Sequence, residues 1–390
     1  MESVLKCVKI RLFALFLQRK GTKMRYRLTC LTPTLVGDGQ KLSPIDYMVW
    51  KDHVNVLDQR RIFKLLAKGP RLDGYLAQLK KADKLDFASW GGFAQNFAGR
   101  RIPFESAAAI PVWDRARAEN LFIPTFAESP AGPYVPGTAI KGALRTGAVF
   151  ERWSEGTMRD VANRLEEGRA PRNPAAKAED AVLGGPGSSR MRRISAADSS
   201  PVNHSGMKVY LLRVSTLVSR GQDKFELGWK SQRGTVDWRR IEESTPIFAE
   251  MAAPGTAFEG SWQERSAQDR GKIFQAANRY AAALIERHKH YAASAGLAHL
   301  TATLGALEGR INEIGNRQDV CVLSIGWGGG MLGKSAYLNT EDESYRKILR
   351  SMPLYQRAIQ TGLPFPKTRR VIFQGGHPAS LPGWVMLETA

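Results

Sequence analysis

The chain has 390 residues, 43% of them hydrophobic and 24% charged, which is typical of a globular protein and excludes a largely disordered chain. Lysines and arginines number 57 against 37 aspartates and glutamates, and the net charge of +20 predicts a phosphate-rich partner, an anionic membrane or a surface that is simply basic. The three cysteines are too few for a disulfide framework, and their spacing, without a CxxC pair, excludes a cysteine-based zinc ribbon, so a reducing compartment is the default expectation.

Residues 1–23 form a basic segment that resembles a signal peptide only superficially. Lys6, Lys9 and Arg11 interrupt its apolar run, and no small-residue cleavage site follows. We interpret the segment as a basic extension or a misassigned start, and a membrane-surface role would rest on these residues alone. No stretch of the chain reaches the roughly 18 apolar residues that a bilayer span requires, so we expect a cytoplasmic protein.

The first half of the chain begins with strand patterns and continues with helices. Alternating apolar residues predict a strand that starts at Met24. Residues 47–57 predict a hairpin, and a helix is predicted from about residue 60 to residue 79. After a rigid Pro/Gly turn, Thr138 can cap a helix that runs to about Trp153.

The second half mixes an irregular stretch with clear helices and strands. Residues 156–206 are rich in Gly, Pro, Ser, Ala and Arg and have little periodicity, which predicts a long loop or a mobile insertion. Apolar faces over 273–288 and 297–314 predict an antiparallel pair of helices that faces the core. Residues 320–325 predict a buried strand, and two short strands close the chain. Strands and helices do not alternate strictly, so the fold class is α+β.

A glycine-rich loop follows the predicted strand at 320–325. The segment GGGMLGKS at 328–335 matches the phosphate-loop pattern GxxxxGK[ST], in which Lys334 would reach the outer phosphates and Ser335 would hold magnesium. The segment after Ser335 has no amphipathic helix, and too few residues remain for the rest of a nucleotide-hydrolase sheet. A loop whose backbone packs on another chain or on RNA phosphates is the favoured interpretation, with a nucleotide hydrolase as an alternative.

Two basic segments are candidates for RNA binding. The helix predicted after Thr138 places Lys141 and Arg145 on one side, which suits a phosphate backbone, although a solvated helix face would look the same. The run RMRRIS contains Arg192 and Arg193, and basic residues interleaved with aromatic ones follow it. Such cations supply salt-sensitive affinity, and aromatic faces can stack on unpaired bases.

Residues for catalysis are few. The six histidines show no HExxH or comparable metal-binding spacing, and no GxSxG nucleophile motif occurs. Asp38 and Asp46 are isolated acids in turns, where aspartates usually cap backbone donors. We therefore expect no catalytic residue, no metal and no cofactor, with a metal-dependent endoribonuclease that uses Asp38 or Asp46 as the alternative.

Four separated motifs give the chain a family resemblance. In order, they are LTPTLVGDGQKLSPIDYMVWKDHVNVLD (31–58), YVPGTAIKGALRT (134–146), MRRISAADSSPV (191–202) and SIGWGGGMLGKS (324–335). The chain resembles the RAMP proteins of type III CRISPR effector complexes, and most of all the family of the fifth Csm subunit of the type III-A complex. The resemblance implies a core similar to the ferredoxin-like RNA-recognition motif, with insertions and a helical segment. Residues 24–260 would form this core, with the insertion at about 156–206, and 261–390 would pack on it.

The resemblance also implies a function and a set of site residues. A subunit of this family is a non-catalytic, guide-RNA-binding protein that caps the 3′ end of the guide (crRNA), supports its maturation and takes part in complex assembly. The implied partners are the guide RNA, other RAMP subunits and host nucleases that trim the guide. Together with Arg192 and Arg193, the residues that we expect to bind RNA are Lys141, Arg145, Gly328, Gly329, Gly330, Gly333 and Lys334.

Overall fold

A computed structural model describes residues 22–67, 69–81, 83–85, 93–167, 175–185, 187–221, 225–231, 237–359 and 364–390. Of the basic extension expected at 1–23, residues 1–21 lie outside the described residues, and residues 22 and 23 belong to the first strand. The described strands are β1 (Thr22–Cys30), β2 (Lys41–Leu42), β3 (Tyr47–Trp50), β4 (His53–Leu57), β5 (Ala98–Pro103), β6 (Ile123–Pro124), β7 (Glu128–Ser129), β8 (Gly132–Pro133), β9 (Ile194–Ser199), β10 (Met207–Ser219), β11 (Phe225–Lys230), β12 (Asp237–Trp238), β13 (Ile247–Ala252), β14 (Ala257–Glu264), β15 (Val320–Ser324), β16 (Thr368–Gln374), β17 (His377–Ser380) and β18 (Trp384–Thr389).

The described α-helices are α1 (Gln59–Leu66), α2 (Arg71–Lys81), α3 (Phe93–Asn96), α4 (Ile110–Arg115), α5 (Gly137–Phe150), α6 (Glu155–Glu166), α7 (Ala176–Leu183), α8 (Ala267–Ser294), α9 (Ala298–Ile314), α10 (Glu343–Arg350) and α11 (Pro353–Ile359). The helix pair predicted over 273–288 and 297–314 is confirmed as α8 and α9, and α8 is longer than predicted. The predicted hairpin is confirmed as β3 and β4, which a two-residue turn connects.

The first sheet has β1 at its centre. Its strand order is β15-β18-β1-β14-β9, and every neighbouring pair is antiparallel. Leu28 of β1 lies opposite Phe258 of β14 and Leu387 of β18, and all three are fully buried. They share one hydrophobic core with Leu144 of α5 and Phe274 of α8. An antiparallel sheet with helices packed on it is the α+β architecture that the sequence predicts.

The second sheet is built around the long strand β10. On one edge, β10 pairs with β13 through its first half and with β11 through its second half, and on the other edge it pairs with β16. Its core contains Trp229 of β11 and Phe373 of β16 together with Leu284 of α8 and Leu304 of α9. Helix α8 contributes residues to the cores of both sheets. This helix therefore links the two sheets.

A third sheet, of β3, β4 and β5, lies beside a small core of its own. Met48 and Leu57 from the strands pack there with Ile62 of α1 and Tyr75 of α2. The single helix predicted from about 60 to 79 is wrong, because α1 ends at Leu66 and α2 begins at Arg71. Pro70 interrupts the helix, since proline lacks the backbone donor and disfavours helical backbone in the residue before it.

The stretch at 156–206 differs most from its prediction as a long loop or mobile insertion. Its described residues include α7, β9 and most of α6, and β9 pairs with β14 at the edge of the first sheet. Met158 and Val161 of α6 are buried in a cluster with Tyr345 and Ile348 of α10. The apolar face of α6 is narrow and its partner helix lies almost 200 residues later in the chain, so local periodicity gave a weak signal.

Candidate RNA-binding groove

Two of the four family motifs are joined at the start of α5. The helix begins at Gly137, so the prediction that Thr138 caps it is wrong, and it ends at Phe150. The cap comes from another segment, because the Gly137 amide donates to Asp198 Oδ1 at 2.8 Å. The Val135 amide donates to Ser199 Oγ at 2.9 Å. The motif VPGTAIKG is thus held against the motif ISAADSS. Glycine is required at 137, because a Cβ there would collide with the backbone of β9.

The other two motifs are joined beside the glycine-rich loop. The Trp327 amide donates to the Leu35 carbonyl at 2.7 Å, and the Ile325 amide donates to the Gly383 carbonyl at 2.8 Å. Gly326 has a φ of 76°, and its Cα lies so close to the Leu35 carbonyl that a side chain would not fit. The segment LTPTLVGDG is therefore held against the segment SIGWGGG by backbone contacts that need glycine.

A groove with a volume of about 660 Å³ lies between these two joined pairs. Its walls are the loop before β2, one side of α5 and the glycine-rich loop. Its residues are Leu35, Val36, Gly37, Gly39, Gln40, Lys41, Pro124, Thr125, Ala139, Gly142, Ala143, Thr146, Ser324, Ile325, Gly326, Trp327, Gly329, Gly333 and Lys334. The charged side chains among them are two lysines, and none of the described lining residues is a carboxylate. Small residues leave the backbone accessible, so the groove suits an anionic, phosphate-bearing ligand.

The glycine-rich loop divides its predicted residues between two cavities. Gly329, Gly333 and Lys334 line the groove. Gly328, Gly329 and Gly330 line a smaller cavity of about 140 Å³ on the other side of the loop. Gly328 and Gly330 have φ values of 102° and 65°, a backbone conformation that glycine adopts without strain. The loop thus presents backbone on two sides.

Two arginines beside the smaller cavity were missed by the sequence analysis. The Arg370 guanidinium lies 4.9 Å from the centre of the Trp327 ring, and its buried Nε has no hydrogen-bond partner in the described chain. Arg369 donates from Nε to His288 Nδ1 at 3.0 Å, and burial lowers the pKa of Arg369 to about 10. Burial lowers the pKa of His288, and the nearby Arg369 charge lowers it to a smaller extent. The His288 ring is therefore neutral and accepts this hydrogen bond. The sequence feature that could have identified these two residues is the pair of adjacent arginines directly before the segment VIFQ (371–374).

The remaining predicted cations lie outside the groove, and most contact protein acceptors. Arg145 pairs with Glu179, and Arg193 pairs with Asp269 at 2.9 Å. Arg192 donates to the Gly187 carbonyl at 3.0 Å. Arg193 lines a cavity of about 350 Å³ between α5, α7 and α8, together with Arg152, Arg190 and Lys272. Lys141 and Arg145 are among the lining residues of neither this cavity nor the groove. The tertiary structure therefore does not gather the predicted residues into one site.

The acids considered for RNA cleavage stabilise turns. Asp38 Oδ1 accepts from the Gln40 amide at 3.0 Å, and Asp46 Oδ2 accepts from the Ser43 amide at 2.7 Å. Within the described part of the chain, no three His, Cys, Asp or Glu side chains lie close enough together to hold a metal ion. Both aspartates therefore have the capping role that isolated turn acids usually have.

The loop at 328–335 does not have the geometry of a phosphate loop. A short 3-10 turn, Leu332–Lys334, follows the glycines, and the next α-helix along the chain is α10. The Ser335 hydroxyl, which would hold magnesium, donates to the Tyr337 carbonyl at 2.7 Å. Without a helix N-terminus directly after the glycines, the loop lacks the dipole that such nucleotide sites use.

None of the helices in the described part of the chain is both long enough and apolar enough to cross a membrane.

Comparison with known proteins supports the assignment that the motifs suggest. The model of the RAMP superfamily matches residues 27–330. A chain in the cryo-EM structure of a Csm–crRNA–target RNA ternary complex of a type III-A CRISPR-Cas system is similar at 19% identity and a TM-score of 0.64, over 94% of this chain and 100% of that one. The crystal structure of T. onnurineus Csm5 is similar at 18% identity and a TM-score of 0.57, over 92% of this chain and 99% of that one. No curated protein sequence matches. Since the family model spans most of the sequence and the solved structures share the fold, the chain belongs to the RAMP superfamily.

Proposed function

We propose that this RAMP protein is a non-catalytic subunit of a type III-A CRISPR effector complex in the cytoplasm, and that it holds the 3′ region of the guide RNA. The observation that carries the proposal is the groove between α5 and the glycine-rich loop. It combines Lys41 and Lys334 with accessible glycine backbone and no carboxylate, which is the chemistry of a phosphate-backbone site.

The basic surface outside the groove supports the same function. Arg145 and Arg193 are bound to carboxylates in exposed ion pairs, and such pairs contribute little stability in water. If RNA phosphates compete with these carboxylates for the arginines, both arginines add salt-sensitive affinity.

Similarity in fold supports the assignment to a complex. One similar chain comes from a Csm complex that contains crRNA, and another is Csm5. By this analogy the protein has other RAMP subunits as partners and supports guide maturation and complex assembly, and nucleases that trim the guide act at the RNA end it holds.

The groove is tested with Lys334→Gln in the full chain, measured by fluorescence anisotropy with guide RNA. The variant should bind roughly tenfold more weakly, and the slope of log affinity against log salt should become shallower by about one unit per lost phosphate contact. The matched control is Arg310→Gln, which removes one charge from an exposed pair on α9. Equal effects of the two substitutions would mean that the groove contributes only general basicity.

Contact with the 3′ region is tested by co-purification from the native host. A C-terminally tagged chain is isolated after DNase treatment, and the retained RNA is sequenced after ultraviolet cross-linking. Repeat–spacer RNAs cross-linked near their 3′ ends, together with other RAMP subunits, are the expected result. Random RNA that modest salt removes, with no partner protein, would contradict the proposal.

The non-catalytic assignment has a separate test. Guide and target RNA are incubated with the protein and magnesium, and cleavage is compared with that by Asp38→Asn and Asp46→Asn. No cleavage above background is expected from any of the three proteins. Cleavage that either substitution abolishes would establish the endoribonuclease alternative instead.

A further inference from the structure

A cavity of about 430 Å³ lies on the face of the second sheet that carries Leu211 and Phe373, and it shares no lining residue with the groove. Strands β10 and β16 form its floor, and α4 and the segment 241–246 form its walls. A volume of this size is in the range of small-molecule sites. The proposed RNA contacts use none of its residues.

Arg213 lies at the floor of this cavity and is 3% exposed. Its Nη1 donates to the carbonyl and to the hydroxyl of Ser244, both at 2.6 Å. Among the described residues, its buried Nε has no hydrogen-bond partner and its Nη2 makes no hydrogen bond, and the guanidinium lies 5.8 Å from the centre of the Phe373 ring. Unmet donors on a buried cation are costly, which is why such groups are usually paired. The arrangement therefore calls for an anionic acceptor that enters from the cavity.

A second cation faces the same space. Arg115, at the end of α4, lines the cavity and donates from Nε to the Pro111 carbonyl at 3.1 Å. Burial is the main cause that lowers the pKa of Arg213 to about 10; the nearby Glu242 charge opposes this shift and the Arg115 charge adds to it, so the Arg213 guanidinium is charged at neutral pH. Two adjacent guanidinium groups match the geometry of a phosphate group.

The other walls match the rest of a nucleotide. Val112 and Ile241 are apolar lining residues that are only partly buried, so a nucleobase can cover them. Glu242 and Glu243 lie on the rim, and Glu242 forms no ion pair with a described residue. Carboxylates at this position would repel an isolated phosphate, but they are acceptors for ribose hydroxyl groups, the role that acidic residues have in dinucleotide sites.

We propose that this cavity binds one ribonucleoside monophosphate, with the phosphate on Arg115 and Arg213, the ribose hydroxyl groups on Glu242 and the base against Val112 and Ile241. The ligand is either a free mononucleotide or the phosphorylated terminal nucleotide of an RNA. The site is independent of the proposed RNA groove, since the two share no lining residue.

The experiment measures the binding of AMP, dAMP and inorganic phosphate to the full chain by calorimetry, and the thermal midpoint with each ligand. AMP should bind and raise the midpoint, and dAMP and phosphate should bind at least roughly fivefold more weakly. Arg115→Gln should weaken AMP binding by roughly tenfold, whereas the exposed Arg310→Gln should leave it unchanged. Arg213→Met should abolish both AMP binding and the rise in the thermal midpoint. If Arg213→Met fails to fold, Arg115→Gln still tests the proposal.

Short RNAs with and without a terminal phosphate distinguish the two sources of the ligand. If phosphorylated RNA competes with AMP, and if Arg115→Gln removes this competition whereas Lys334→Gln does not, the natural ligand is an RNA end. AMP binding without such competition would assign it to a free nucleotide. No response to AMP or to phosphorylated RNA at millimolar concentration would overturn the proposal, and equal binding of AMP and inorganic phosphate would overturn the assignment to a nucleotide. Neither result would affect the groove, which Lys334→Gln tests separately.

Discussion

Arg100 and Glu250 form an ion pair that joins the third sheet to the second across 150 residues of sequence. Arg100 Nη2 of β5 donates to Glu250 Oε2 of β13 at 2.9 Å, and the Glu250 side chain is fully buried. Arg100 Nη1 also donates to Glu128 at 2.7 Å. Burial raises the pKa of Glu250, and the Arg100 charge opposes that rise. One arginine thus holds two carboxylates from distant parts of the chain.

We expect Arg100→Met to destabilise the fold by about 3–5 kcal/mol, because it leaves the Glu250 carboxylate buried without a counterion. The double variant Arg100→Met/Glu250→Met should recover most of this loss, since an apolar pair of similar volume replaces the ion pair. Urea denaturation of the wild type and the two variants measures both effects. A loss of less than about 1 kcal/mol in Arg100→Met, as for an exposed pair, would show that the pair does not hold the sheets together.

The loss of unfolding free energy in Arg100→Met should depend on pH. Without the arginine charge, burial raises the pKa of Glu250 in the folded state further above its value in the unfolded state. At pH values between these two pKa values, Glu250 binds a proton in the folded state but not in the unfolded state. Stability from this proton is present below the unfolded pKa and is lost as the pH rises through the folded pKa. The deficit relative to the wild type should therefore be largest near pH 7.5 and shrink toward pH 5. Unfolding free energies at both pH values check this, and Arg100→Met/Glu250→Gln should lack the dependence.

The Asn278 side chain of α8 forms hydrogen bonds with backbone groups on the free edge of β15 in the first sheet. Its Nδ2 donates to the Val320 carbonyl at 3.2 Å, and its Oδ1 accepts from the Val322 amide at 2.8 Å. Asn278→Leu leaves two buried backbone groups of β15 without partners, so we expect a loss of about 2–4 kcal/mol. Because β15 leads directly into the glycine-rich loop, guide-RNA affinity should fall as well. Hydrogen exchange at the Val322 amide should accelerate more than at amides of the second sheet, and an equal change in both sheets would contradict this local role.

Gly142 of α5 lines the groove, and a Cβ at this position would meet no atom within 4 Å. Gly142→Gln should increase helix stability by about 0.5–1 kcal/mol, because glycine is a poor helix former. The new side chain would occupy the groove, so RNA affinity should fall by roughly tenfold. Gly305→Gln on α9 is the matched control, since Gly305 is also a helical glycine with open space at its Cβ. Unchanged RNA affinity in a folded Gly142→Gln protein would place the RNA elsewhere.

Local patterns in the sequence were sufficient where one short segment decides the structure. Alternation located β1, and the apolar stripes over 273–288 and 297–314 located α8 and α9. The sequence pattern GGGMLGKS located the glycine-rich loop, and Gly328 and Gly330 adopt backbone angles there that other residues avoid. The four motifs identified the superfamily that the family model confirms over 27–330. These features depend on residues that lie next to each other in the chain.

Long-range contacts decided the rest. The true cap of α5 is Asp198, 61 residues away, and Arg145 is paired with Glu179, so neither the helix start nor the state of this cation follows from local spacing. Helix α6 is stabilised by packing against α10, and Leu183 of α7 packs in the core of the first sheet. Arg213 belongs to the basic residues that follow RMRRIS in the sequence, and only the fold shows that it is buried beside a cavity. Propensity and periodicity act over a few residues, whereas burial and pairing arise only when distant segments pack together. The sequence by itself therefore determined the family and the main elements, and the tertiary structure alone decided which charges are paired and where cavities form.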